Sequence, residues 1–430
     1  MTKERAGERV IKKIGSSHVI WFPESNRWME FREPAWFIYE KIENGEDEQS
    51  LEVQLVQRYG LPHREALRFL REVINGINLA VRPISGHEPG RGDETECTGL
   101  DGLAARAQNR RYVTHHYLIN EKHITISYGT PFLEYYIHRP LAHLETGGQQ
   151  AESLSIRLYE EVTGDVTSES NMTGSKATSG KAEGSGPTGS YYLQVEAPAA
   201  GGSSRRFRFE ESGLLKHRLY TVITSHIYGI PEEGWMSFIH ASAVTNGREA
   251  ALLPSASGSG KSTIAALLQL PAGKSSSGSH GELYFMSDDF VAVAAESSKA
   301  YPFPAAITVK KGSFDVIAPY YDTARDADAG YRRSTGSNVR YLRPRFHEKN
   351  PYGAQPVKNI IFIKHTPGVT FRLSKLDTLS ALAAFHQEAW VSQNPGHARG
   401  FIDWFVTVDC HRLEYDDSGK AVQVIRNLFE

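Results

Sequence analysis

Between positions 250 and 270 the chain reads AALLPSASGSGKSTIAALLQL: an apolar stretch, a glycine-rich turn, then a second apolar stretch at helical spacing. That order suits phosphate. Glycines let backbone N–H groups converge on anionic oxygens, and a following helix turns its positive N-terminal end to the same point. The candidate nucleotide contacts are Ser257, Gly258, Ser259, Gly260, Lys261, Ser262 and Thr263. Lys261 is expected on the β- and γ-phosphates of ATP and the Ser262 hydroxyl on Mg²⁺, with Thr263 capping or packing the first helical turn. The common spacing GxxxxGK[ST] would put its first glycine where this chain has Ser255.

Downstream, ELYFMSDDFVAV sets Asp288 and Asp289 at the tip of an apolar strand. Phosphoryl transfer needs a carboxylate to hold Mg²⁺, and often another to orient or deprotonate the acceptor. Adjacent aspartates whose side chains diverge can divide those tasks. Spacing does not say which takes which, so both are candidate bases and both, with Ser262, are candidate metal ligands. Upstream, SFIHASAVTNGREAALLP reads as two strands around an Asn246-Gly247 hairpin, the second running into the glycine-rich turn. His240 then begins the neighbouring strand, in reach of phosphate.

The elements that must position these groups follow from pattern. From 235 to 430, strands (238–244, 250–253, 283–286, 290–294, 357–363) alternate with helical stretches (261–269, 376–388). This argues for an α/β domain with its site at strand carboxyl ends. Residues 110–234 read as a β-rich middle region with a hairpin at Asn120-Glu121 and a helix over 214–228. Its Gly-, Ser-, Thr- and Ala-rich insertion, 163–205, is too poor in apolar groups to offset chain entropy and is expected to be flexible apart from a short strand at 191–195. Residues 86–109 read as a linker. The first region, 1–85, begins with short strands (10–14, 18–22, 28–31). Three helical stretches follow, carrying Trp36, Phe37, Tyr39 and Ile42, then Leu51, Leu55, Val56 and Tyr59, then Leu67, Leu70, Val73, Ile74 and Ile77. That is a small winged-helix-like α+β module.

The order IHASAV, hairpin, SGSGKST, SDD, FVAV resembles the HPr kinase/phosphorylase family and its kinase relatives, closely over 235–303 and more loosely to the C-terminus through LSALAAFHQEAW and CHRLEY. The resemblance implies a P-loop kinase in which His240 contacts phosphate, Lys261 and Ser262 serve ATP and Mg²⁺, and Asp288 and Asp289 supply an acceptor base and a metal contact. Where bifunctional members carry a second glycine-rich signature, this chain has AYPFPAAITVKKGSFDVI. That points away from phosphorylase activity and toward kinase relatives found with peptide-modifying enzymes. The first region, through HVIWFPESNRWMEF, WFIYEKIENGED and LEVQLVQRYGLPHREALRFL, resembles the PqqD-like fold. That fold implies capture of a leader peptide along a sheet edge. The GYRRSTGSNVRYLRPRFHEK segment, with Arg332, Arg333, Arg340, Arg343 and Arg345, offers guanidinium groups for phosphate or carboxylate.

Composition narrows the classes. A formal charge of −2 over 430 residues gives no global pull toward nucleic acid or anionic membrane, and the third helix sets Glu65 and Glu72 among its arginines. No apolar run approaches the ~20 residues that span a bilayer, and the basic start lacks a signal peptide's apolar core. Cys97 and Cys410 have no metal-ligand spacing. The expectation is a reduced, cytoplasmic, ATP- and Mg²⁺-dependent kinase, open to homo-oligomerisation, acting on a peptide hydroxyl, that of serine first. A small-molecule hydroxyl kinase and a nucleotide-gated binding module without transfer stay open beside it.

Overall fold

The computed structural model describes residues 8–82, 93–97, 112–148, 154–162, 189–196, 204–271, 281–321, 327–332, 337–369 and 371–430. The fold is mixed α/β. Two compact units divide it: Met1–Gly86 together with Pro231–Glu430, and His87–Ile230.

In the first unit, β1 (Val10–Ile14), β2 (Ser17–Phe22) and β3 (Arg27–Phe31) form an antiparallel sheet in chain order. The helices α1 (Ala35–Glu43), α2 (Glu48–Tyr59) and α3 (His63–Ala80) follow. Asp47 caps α2 by accepting from the Ser50 N–H, and Gly60, at φ 65°, ends it in the left-handed region. Ala66, Leu70, Ile77 and Ala80 form the buried stripe of α3.

The second unit carries a six-stranded sheet in the order β4 (Asp93–Cys97), β9 (Ser204–Phe209), β8 (Gly189–Val195), β7 (Leu154–Val162), β6 (Lys122–Tyr128), β5 (Val113–Ile119). Helix α4 (Pro131–Leu141) follows β6, and α5 (Ser212–Tyr228) packs across β6, β8 and β9. Asn120 and Glu121, both at positive φ, make the expected hairpin turn. Part of the expected linker is ordered, since 93–97 pairs with β9. Of the expected insertion, 189–195 is β8 and 204–205 opens β9, while 163–188 and 197–203 lie outside the described residues.

The rest of the first unit is built on a ten-stranded sheet. Its path runs β13 (Tyr284–Ser287), β11 (Ala241–Thr245), β12 (Ala250–Pro254), β19 (Gln355–His365), β15 (Lys299–Tyr301), β14 (Val291–Ala294), β10 (Trp235–Ile239), β21 (Ala389–Val391). Strand β22 (Asp409–Tyr415) lies parallel to β19 and carries β20 (Arg372–Lys375), while β12 is parallel to β19 on its other side. A smaller sheet orders β16 (Ile307–Lys310), β18 (Ser337–Leu342) and β17 (Ala327–Arg332). The helices are α6 (Lys261–Leu268), α7 (Phe314–Ile317), α8 (Thr378–Phe385), α9 (Pro395–Phe405) and α10 (Ser418–Asn427).

Two expected elements divide. The strand over 238–244 breaks at His240, because β10 pairs with β14 and β21 whereas β11 pairs with β12 and β13. The helix expected over 376–388 ends at Phe385, and 389–391 becomes a strand whose Trp390 stacks on Phe238 at 5.7 Å. The first region does not stand apart from the large sheet: Val10, Val19 and Trp21 are buried in one apolar cluster with Met236, Ile239, Phe401 and Phe405. Lys12 pairs with Asp403 at 2.6 Å, and Asn26 donates to the Val391 carbonyl at 2.6 Å.

Candidate active site

Strand β12 is wholly buried, and the chain leaves its carboxyl end through the glycine-rich turn into α6. Gly258 and Gly260 have φ of 94° and 97°, backbone that other residues rarely adopt. At Gly260 a Cβ would also clash with the Tyr415 hydroxyl. The ends of β19 and β22 pin this turn: the His365 N–H and the Tyr415 hydroxyl both donate to the Ser259 carbonyl, at 3.1 and 3.3 Å. Ser255, at the position where a glycine is common, is buried and accepts from the Ile363 N–H at 3.0 Å. Its hydroxyl joins β19 to the turn, a contact that glycine lacks. No side chain caps α6, so its first N–H groups face the cleft without an intrahelical acceptor.

Lys261 heads α6 and is only 6% exposed, so its ammonium needs partners. It donates to the Ser255 carbonyl at 3.3 Å and pairs with Asp289 Oδ1 at 3.2 Å. The same oxygen lies 3.3 Å from His240 Nε2. His240 Nδ1 is 2.9 Å from Glu388, whose carbonyl also takes the His240 N–H. Hydrogen bonds to Asp289 and then Glu388 raise the imidazole pKa to about 9, against burial and Lys261, which lower it. His240 is therefore protonated at neutral pH. The 2.9 Å approach of Lys261 Nζ and His240 Nε2 then brings two cationic donors together on Asp289, with Glu388 balancing the imidazolium from its other side.

The two aspartates occupy different surroundings. Asp288 is buried; it accepts from the Ser242 hydroxyl at 2.5 Å, the Ser262 hydroxyl at 3.0 Å and the Thr308 N–H at 3.0 Å. Desolvation, and next the Asp289 charge, push its pKa up to about 6 despite those donors. Asp289 is partly exposed and holds a positive φ of 62°, which costs a non-glycine residue of order 1 kcal/mol. This backbone turns adjacent carboxylates apart, one toward Ser262 and one toward Lys261 and His240.

These groups line a cleft of about 540 Å³ that also includes Ser257, Thr308, Lys310, His365 and Tyr415. All of the expected residues but Asp288 and Ser259 line it, and these two bond to groups that do or to the turn itself. Thr263 is buried and donates to the Ser313 hydroxyl at 2.7 Å, a packing role. Sequence reasoning missed Glu388, Ser242, Thr308, Tyr415 and Lys310, the last of which donates to the Ser257 hydroxyl. Only Lys310 carried a signal, as a basic residue in the segment that replaces the second glycine-rich signature. Among the basic-segment arginines, Arg340 stacks on Phe314 at 4.2 Å and Arg345 pairs with Glu282 at 3.0 Å, both outside the cleft lining. Arg333 lies outside the described residues. Cys410 is buried, which pushes its thiol up to about 12. No described helix is long and apolar enough to cross a membrane.

Compared with models of protein families and with curated proteins, the chain matches none.

Proposed function

We propose that the chain is an ATP- and Mg²⁺-dependent phosphotransferase of the P-loop, HPr-kinase-like type, transferring the γ-phosphoryl group to a hydroxyl. The single observation that carries this is the gathering of Lys261 and His240 on Asp289 at the open N-terminus of α6, beside an Asp288–Ser262 pair. Polyphosphate competes with Asp289 for these cations: Lys261 turns from Asp289 to the phosphates, and His240 faces them as an imidazolium.

The donor chemistry fits Mg²⁺. A hydroxyl and a carboxylate oxygen 3.0 Å apart are hard ligands, so Ser262 and Asp288 would hold the ion and Asp289 would act on the acceptor. Bound there, Mg²⁺ would neutralise charge on the β- and γ-phosphates. Asp289, released by Lys261, accepts the acceptor's hydroxyl proton. The narrow approach of Tyr415 and the glycine turn excludes bulk at Gly260 and keeps backbone N–H groups close to the phosphates.

The acceptor is proposed to be a peptide serine. Edge strands β1 and β3 each have one neighbour in their sheet, which leaves an edge for an added strand. The core shared by Trp21, Phe401 and Phe405 favours a second reading. There the first region is a fixed packing element and the acceptor a small molecule. Mass spectrometry after incubation with ATP, Mg²⁺ and serine-containing peptides, or a panel of small hydroxyl compounds, separates the two. Phosphate gained by a peptide supports the first. ADP formed only with a small acceptor supports the second, and no acceptor-dependent ADP from either set would remove phosphotransfer.

A further inference from the structure

The second unit holds another group of titratable side chains, unrelated to the cleft. His115 on β5, His138 on α4 and Glu145 after it bring one donor atom each to within 4.8 Å of one another. Local structure explains the meeting. Glu134 and His138, four positions apart on α4, share a helix face. His115 and Tyr117 share a face of β5, and a bridge between Tyr117 and Glu145 brings the chain after α4 back to that strand.

The contacts bring the donors together, and turning the two rings out of their stack would aim them at one point. The imidazoles of His115 and His138 stack at 3.8 Å. His115 Nδ1 lies 2.7 Å from Glu145, and Nε2 lies 3.2 Å from Glu134. The Tyr117 hydroxyl is 2.8 Å from His138 Nδ1 and 2.8 Å from the Tyr128 hydroxyl. That chain fixes the His138 ring and leaves Nε2 as its ligating atom, the outer support that metal-binding histidines use. Two imidazoles with carboxylates suit zinc and similar divalent transition ions, whereas Mg²⁺ and Ca²⁺ prefer oxygen alone. Zinc at ~2 Å from each donor holds them within about 4 Å of one another, so binding turns the stacked rings toward the ion, and Glu145, 43% exposed, has room to follow.

We propose that His115, His138 and Glu145, with Glu134 beside them, bind one zinc-class divalent cation that fastens α4 and the segment following it to β5. No step of the proposed phosphotransfer depends on it.

The test uses the full chain after chelator treatment, titrated calorimetrically with Zn²⁺ alone and, separately, followed by visible absorption with Co²⁺. Expected are one strong Zn²⁺ site, a Co²⁺ spectrum of tetrahedral type, and a Tm that rises with Zn²⁺. His138→Ala should weaken that site by ~100-fold or more and Glu145→Gln by ~10-fold or more. His116→Ala, next to His115 but on the opposite face of β5, should leave it unchanged. Glu145→Gln guards against a His138→Ala protein that fails to fold, since the changed side chain is half-exposed and keeps its shape. Absence of Zn²⁺ binding by the wild type, or equal Zn²⁺ affinity in wild type and Glu145→Gln, would overturn the proposal.

Discussion

Two histidine networks in this molecule use the same residue types and shift an imidazole in opposite directions. In the cleft, His240 lies between Asp289 and Glu388 with Lys261 alongside, and its carboxylate hydrogen bonds raise it to about 9. In the second unit, His115 lies between Glu134 and Glu145, and His138, stacked on it, is lowered first by burial and then by the His115 charge. One network holds two cationic donors at a helix N-terminus, where an anion can compete with Asp289 for them. In the other, burial lowers His138 beside carboxylates, which favours a nitrogen able to take a cation. Burial and the first charged neighbour, rather than the histidine, decide the chemistry.

The comparison breaks most visibly at the aspartates. Asp289→Asn should lower kcat by ~100-fold or more while ATP affinity changes little, as expected for loss of a base. Asp288→Asn should instead raise the Mg²⁺ needed for half-maximal rate. Initial rates over a grid of ATP and Mg²⁺ concentrations check both, and near-normal rates in both variants would make the pair structural.

Next comes the glycine-rich turn that leads into α6. Gly260→Ala combines a positive φ with a clash against Tyr415 and should destabilise the protein by about 1–3 kcal/mol. Adding Tyr415→Phe should recover part of that loss, since only the clash and not the backbone strain is relieved. Thermal unfolding of the single and double variants measures it, and strict additivity would show that the close approach does not matter.

The smallest effect is on pH dependence. With Asp288 raised to about 6 and His240 to about 9, kcat/KM should rise through pH 6 as Asp288 becomes a competent metal ligand, and fall through pH 9 as the imidazolium is lost. Glu388→Gln removes the carboxylate charge behind a hydrogen bond that raises His240, so the alkaline limb should move toward neutrality, an outcome a purely structural Glu388 would not give. Stability carries the same signs. Both pKa values are raised, so the His240 contribution is complete below about 6.5 and fades as pH rises through 9. That of Asp288 is complete below about 3.8 and fades through 6. Six histidines among the described residues, lowered by burial, act in the opposite sense below about 6.5. The check is therefore a difference: the unfolding free energy of the metal-free wild type minus that of Asp288→Asn should fall as pH rises through 6, and minus that of His240→Gln as it rises through 9.

Much of this was legible in the chain. The glycine-rich turn and α6 are local, so their residues sit in sequence order, and the helices of the first region announce themselves through Leu51, Leu55, Leu70 and Ile77 at helical spacing. What stayed hidden is non-local. Glu388 stands 148 positions from His240 and Ser242 stands 46 from Asp288. They meet because the sheet order β13-β11-β12-β19-β15-β14-β10-β21 departs from chain order. The break at His240 was equally hidden, since SFIHASAV reads as one apolar run until its halves find different partners. The role of Ser255 depends on β19, a strand whose neighbour no local pattern names.

Calorimetric titration with ATP in the presence of Mg²⁺, run on the wild type and on Lys261→Ala, tests the central claim most directly. The cleft as described predicts one ATP per chain for the wild type and a loss of affinity of ~100-fold or more in a variant that still folds, because the side chain that meets the phosphates is gone. A wild type that binds no ATP, or a folded Lys261→Ala protein that binds it equally well, would contradict the assignment of this cleft to a nucleotide.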